Sequence, residues 1–176
     1  MCVILIGKIT REQHKLALEQ NQDGFSLFTR EQGLVKAPTE KQVEEAIGKF
    51  GVWHYRIASS GKIDKKNIHP FEICRGRYLL YHNGVIGAGK GSKSDTAALA
   101  ETLYDVNLTT ARSVVKALAN GNRFAIVSAN DPRNFELFGE WTAEAGVLFS
   151  HKLYSYKLSK GGTTYYGRTI DNVFKR

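Results

Sequence analysis

The sequence predicts an α+β domain built in layers. Strand-like segments fill the beginning and the end of the 176-residue chain, and a pair of helical segments lies between them. That order favours layered sheets and helices over a doubly wound parallel sheet. No Pro/Gly/Ser-rich or charged stretch separates two modules, so residues 1–176 read as one domain.

The elements follow in order. Residues 3–6 are an apolar run that reads as a buried strand. Residues 11–20, with Leu16 in a largely polar stretch, read as a short exposed helix. Asp23-Gly24 marks a turn. Residues 25–29 alternate like a strand, and 31–33 turn a hairpin into Leu34 and Val35. Thr39 is placed to cap a helix, with Gln42 three residues on completing a capping box. Val43, Ala46, Ile47 and Phe50 keep one helical face, and Gly51 is the expected stop. Residues 52–58 read as a strand and 59–70 as a polar loop. Residues 78–81 form a strong strand closed by the turn dipeptide Asn83-Gly84. The loop 87–93 carries Gly87, Gly89 and Gly91 and ends at Ser94, the expected cap of a helix over 95–104. A second helix spans 110–119, with Asn120-Gly121 as its stop. The remaining strands are expected at 124–128, 135–138, 147–149, 153–158 and 164–166.

Composition narrows the class. Hydrophobic residues make up 42% and charged residues 24%, which places the chain among globular proteins. The apolar opening is far too short to span a bilayer and has no basic leader, so neither a membrane anchor nor a secretory signal is expected. Two cysteines, Cys2 and Cys74, do not make a disulfide framework, and a reducing, cytoplasmic setting is the expectation. Cys74 sits in an apolar stretch and reads as packed core. The net charge of +8 admits an acidic or nucleic-acid partner, but the basic residues are scattered, which favours a solvated surface.

The chemistry starts at Cys2, directly after the initiator Met. A small residue in second place favours removal of Met1. Cys2 would then carry its thiol and a free α-amino group on one residue, a nucleophile with its own base within reach. Four further segments accompany it. They are His54-Tyr55-Arg56-Ile57-Ala58-Ser59-Ser60-Gly61, Asn67-Ile68-His69-Pro70-Phe71, His82-Asn83-Gly84-Val85-Ile86 and Ser94-Asp95-Thr96. In this order and spacing they resemble the glutamine amidotransferase domain of class II, within the N-terminal nucleophile (Ntn) hydrolases. The pattern departs from many members at Ser60, where those carry His.

The resemblance implies a four-layer αββα sandwich with antiparallel sheets and glutamine as substrate. It implies that the Cys2 thiolate attacks the side-chain amide, releases ammonia and leaves a thioester that water cleaves to glutamate. Asn83, by its side-chain amide, and Gly84, by its backbone N–H, are the expected oxyanion donors. Arg56 suits the α-carboxylate of glutamine, because a guanidinium meets a carboxylate in a two-pronged fork. Asp95 suits the α-ammonium. Ser59 is expected to contact substrate or orient the Cys2 amine, and His69 to shape the pocket. His54 and His82 read as packed strand histidines, since no metal-ligand spacing appears. No cofactor and no metal are expected.

No synthetase, transferase or isomerase segment is recognisable, so a separate ammonia-accepting enzyme is the expected partner. Two other readings remain open at this level. One is an N-terminal-Cys hydrolase of a different amide, which would not need both Arg56 and Asp95. The other is a non-catalytic basic binding module on the same fold, which a steep salt dependence of nucleic-acid binding would reveal.

Overall fold

A computed structural model of the chain describes residues 2–87, 91–151 and, as backbone, 163–166. In chain order the strands are β1 (Val3–Lys8), β2 (Phe25–Thr29), β3 (Gly33–Lys36), β4 (Phe50–Tyr55), β5 (Phe71–Ile73), β6 (Tyr78–Asn83), β7 (Arg123–Ser128), β8 (Asp131–Phe138), β9 (Glu140–Glu144), β10 (Val147–Phe149) and β11 (Thr163–Tyr166). The helices among the described residues are α1 (Arg11–Gln20), α2 (Glu40–Ala46), α3 (Asp95–Thr102) and α4 (Leu108–Leu118).

The strands form two sheets in which every neighbouring pair is antiparallel. The larger has the order β11-β9-β10-β1-β4-β2-β3, the smaller β5-β6-β7-β8. β1 shows why its sequence is apolar from Val3 to Ile6. Successive side chains of a strand point to opposite faces, and both faces of β1 are covered. Val3 and Leu5 pack with Ala17 of α1 and with Val43 and Ala46 of α2. Ile4 and Ile6 pack with Leu79, Tyr81, Ala125 and Val127 of the smaller sheet. The outer face of that sheet, Leu80, Phe124 and Ile126, packs with Ala100 of α3 and with Ala111 and Val115 of α4. The layers therefore run α1/α2, larger sheet, smaller sheet, α3/α4, an order compatible with an αββα sandwich. Each fully buried aliphatic or aromatic side chain in these three cores contributes about 1.5–3 kcal/mol.

Several boundaries shift from the sequence reading. α2 ends at Ala46, not near Gly51, because Gly48 adopts φ +77° and turns the chain. Phe50 is thereby freed from the helix to open β4 opposite Lys8. β4 itself stops at Tyr55, and Arg56 to Ala58 leave the sheet. The loop before Phe71 contains a single 3-10 turn, Lys65–Asn67. α1 is not wholly exposed, since Gln13 and Ala17 are buried under the larger sheet. α4 begins two residues early, capped by Asn107. β9 was not expected. Its flanking acids, Glu140 and Glu144, weaken the strand signal, while Trp141 and Thr142 are buried. The strand expected at 153–158 lies outside the described residues. Cys74 is fully buried, and it and Cys2 are both free thiols.

One correction bears on the site. Asn83-Gly84 is not a hairpin turn. Asn83 is the last residue of β6, paired with Arg123 of β7, and the chain leaves through Gly84 toward α3 instead of folding back.

Candidate active site

A small cavity of about 20 Å³ sits where the ends of β1, β4 and β6 meet the start of α3. Cys2, Arg56, Ile57, Ser59, Ser60 and His69 line one side, and His82, Gly84, Ser94, Asp95 and Thr96 the other. Residues far apart in sequence are thus gathered by the two facing sheets. Of the expected site residues, Cys2, Arg56, Ser59, His69, Gly84 and Asp95 all face this space.

Cys2 immediately precedes β1 and is half-buried. Its thiol donates to the Ile57 carbonyl at 3.5 Å. Burial pushes the thiol above its ordinary pKa, and the Arg56 charge draws it partway back. At neutral pH the sulfur is therefore protonated and needs a base to become a nucleophile.

Arg56, 3% exposed, is held by the loop that follows it. Its guanidinium donates to the Ser60 carbonyl at 2.9 Å and the Lys62 carbonyl at 3.2 Å. A guanidinium has five N–H donors, so these two bonds leave the fork capacity for a further acceptor. Asn67 fixes the same loop. Its amide donates to the carbonyls of Lys62 and Ser92, and its Oδ1 accepts from the Ser94 N–H at 2.7 Å.

Asp95, 8% exposed, opens α3 just after its cap, Ser94. Its Oδ1 accepts from the Thr96 N–H at 2.7 Å and the Ser60 hydroxyl at 3.3 Å, and its Oδ2 from the Ile86 N–H at 3.0 Å. Ser60, the position where the sequence departs from the pattern it resembles, is thus engaged twice, since the Asp95 N–H also donates to its hydroxyl at 3.1 Å.

His54, His69 and His82 are buried. His69 Nδ1 and His54 Nε2 share one proton across 2.6 Å. Burial pushes His54 down to about 3 and His69 in the same direction, so both rings are neutral at pH 7. His82 is lowered by burial as well.

Asn83 is placed differently from the expectation. It is fully buried and does not line the cavity, and its Nδ2 donates to the Ser150 carbonyl at 3.1 Å and hydroxyl at 3.0 Å. Ser150, Thr96 and Asn122 are residues bonded around the cavity that the sequence reading did not single out. Of these only Thr96 carried a signal, by lying inside a quoted motif.

Larger grooves lie elsewhere. One of about 840 Å³ runs between α4 and the β7–β8 edge, and one of about 600 Å³ lies beside β5 and α3. Neither contains Cys2. Among the described residues no group of three or more His, Cys, Asp or Glu side chains is placed to hold a metal ion, and no helix is long and apolar enough to cross a membrane.

With this geometry in place, comparison with known proteins adds a direction. The chain is similar to glutamine–fructose-6-phosphate aminotransferase (isomerizing) of several bacteria. It is 39% identical to that of Lactiplantibacillus plantarum over 67 residues, which is 38% of this chain and 11% of the relative. It is 29% identical to that of Bacillus subtilis over 101 residues, 57% of this chain and 17% of the relative. The relative from Listeria innocua gives 34% over 67 residues. The matched stretches thus span only a small part of these curated relatives. No family model matches the chain.

Proposed function

We propose that this chain is a glutamine amidohydrolase, the glutaminase unit of a class II amidotransferase on an Ntn-hydrolase fold. The observation that carries the reading is the cavity. It brings Cys2, Arg56, Ser59, His69, Gly84 and Asp95, drawn from separate segments, to one place. The names of the bacterial relatives, which specify glutamine, agree with it.

Removal of Met1 frees the Cys2 amine. Because burial holds the thiol protonated, the amine is the base that takes its proton, directly or through one water. The thiolate attacks the amide carbonyl carbon of glutamine, and the carbonyl π pair moves onto oxygen. The Gly84 N–H faces that developing charge. Asn83 joins it only by releasing Ser150. The ammonium formed on Cys2 returns its proton to the departing nitrogen, which leaves as ammonia. Water then attacks the thioester and glutamate departs. Arg56 holds the α-carboxylate and Asp95 the α-ammonium.

A cavity of about 20 Å³ accommodates roughly one water. Glutamine therefore enters by lifting the Ser59–Lys62 segment, which closes over Arg56 through the Ser60 and Lys62 carbonyls. The ammonia passes to a separate acceptor enzyme.

The deciding experiment combines mass and chemistry. Intact mass should show Met1 absent, and a glutamine-like diazoketone should label Cys2. Glutamate release should fall to background in Cys2→Ala while the thermal midpoint stays close to that of the parent. Normal activity in Cys2→Ala overturns the mechanism. Full turnover of the isolated chain, without any partner, overturns obligate coupling to an acceptor.

A further inference from the structure

The geometry points to Asn122 as a positioning residue for the Gly84 turn and for His82. Asn122 lies beyond the end of α4, far from the cavity in sequence, and touches neither Cys2 nor Arg56 in any hydrogen bond described. Its Nδ2 donates to the carbonyls of Leu118 at 2.9 Å and Asn120 at 3.3 Å, which anchors the side chain on the C-terminal turn of α4. Its Oδ1 points the other way and accepts twice. The Val85 N–H donates to it at 2.9 Å, and His82 Nε2 lies 3.1 Å away.

Two consequences follow. First, an amide oxygen has no proton to give, so His82 must carry its hydrogen on Nε2. Nδ1 of the neutral ring is then an acceptor and takes the single Thr96 hydroxyl proton at 2.8 Å, in preference to Asp95 Oδ1, which lies 3.2 Å from the same hydroxyl. Thr96 in turn donates its backbone N–H to Asp95. One side chain therefore fixes the tautomer of a ring that is two bonds removed from the carboxylate proposed for the α-ammonium. Second, Asn122 packs directly against Gly84. A Cβ built on Gly84 would lie 2.0 Å from Asn122 Oδ1, and Gly84 adopts φ +150°. The Gly84 Cα, which follows the proposed oxyanion N–H directly, is thus seated against the Asn122 oxygen, and the peptide after it is tied to the same oxygen by the Val85 N–H. α4 acts as the fixed post from which the turn is aimed.

The kinetic part of this inference rests on the glutaminase reading, and the structural part does not. The test uses Asn122→Ala and Asn122→Asp in the full chain, read by nitrogen-15 NMR of the His82 ring, by hydrogen exchange of the Val85 amide and by steady-state glutaminase kinetics. Asn122→Ala should release the Val85 amide to faster exchange and remove the fixed Nε2–H tautomer of His82. Its kcat should fall about tenfold or more with KM changed less than about twofold, since misaiming a group by an ångström costs up to about a hundredfold. Asn122→Asp keeps an oxygen for both donors and should preserve the tautomer and recover part of the rate. Unchanged tautomer and exchange in Asn122→Ala overturn the inference, as does an unchanged kcat. If Asn122→Ala does not fold, loss of the tautomer in Asn122→Asp overturns it and retention supports it. If the parent chain releases no glutamate from glutamine, the functional reading fails and the NMR arm alone decides the positioning role.

Discussion

α2 and α3 start alike in sequence, Thr39 before Glu40 and Ser94 before Asp95, but they draw their partners from different places. At α2 the Thr39 hydroxyl accepts from the Gln42 N–H, and the Gln42 side chain returns the bond to the Thr39 N–H. The box is closed, local and exposed. At α3 the Ser94 hydroxyl serves the Ala97 N–H in the same way and the adjacent Thr96 N–H bonds Asp95, but the other partners arrive from a distance. Asn67 takes the Ser94 N–H, and Ser60 and Ile86 donate to Asp95. The comparison teaches that a helix start gathers distant segments when its charged residue is satisfied by loops of other elements. Those loops bring Arg56 and Gly84 with them.

The sharpest way to break the contrast is Asp95→Asn. The carboxylate is nearly buried and accepts from three segments. Bonds to a charged acceptor are worth about 1.5–3 kcal/mol. Asp95→Asn should therefore lower glutaminase kcat/KM by roughly ten- to a hundredfold and destabilise the fold by about 1–3 kcal/mol. Denaturant unfolding beside substrate kinetics checks both. A variant with unchanged kinetics would remove Asp95 from the site and leave it an ordinary helix-start acid.

Acid separates the two starts next. Neither Thr39 nor Gln42 titrates, whereas the wall around α3 rests on neutral His54, His69 and His82. His54 has a folded pKa near 3 against the ordinary 6.5 because burial disfavours its charged form. The unfolded chain therefore binds protons that the folded chain refuses. The stability due to neutrality of this ring is complete above pH 6.5 and is lost as pH falls toward 3. Going from pH 7 to pH 4 should cost on the order of a few kcal/mol, and His54→Gln should flatten that loss. Urea midpoints measured across this range check it. A parent curve as flat as that of His54→Gln would mean the ring is not buried neutral.

The same contrast explains what could be read from residues alone. The Thr39–Gln42 box and the Ser94 cap are three-residue devices, so the sequence displays them whole. β1 was visible because both of its faces are covered and every position from Val3 to Ile6 is apolar. The cluster at Cys2, Arg56, Gly84 and Asp95 was visible through motif order, not through any local physical signal. Asn122 and Ser150 were not visible. Asn122 acts on a turn 37 residues away, and Ser150 acts on Asn83 across 67. Neither has a side chain that distinguishes it from a surface residue until the sheets stack. The bond between Asn83 and Ser150 was hidden for the same reason, because Ser150 comes from the end of β10, on the other sheet.

Thr39→Ala sets the lower bound of the comparison. It opens the box at α2, where the hydroxyl partner is a single exposed amide three residues on. Losing a Thr cap typically costs about 1 kcal/mol, and α2 packs on the face of the larger sheet that looks away from the smaller one. The thermal midpoint should drop by a few degrees, about 2–4 °C for a chain of this size, while glutaminase kcat and KM stay at parent values. If Thr39→Ala changed catalysis as Asp95→Asn does, the outer helix layer would be coupled to the cavity through β1 and β4. Local and distant satisfaction of a helix start would then no longer separate scaffold from site.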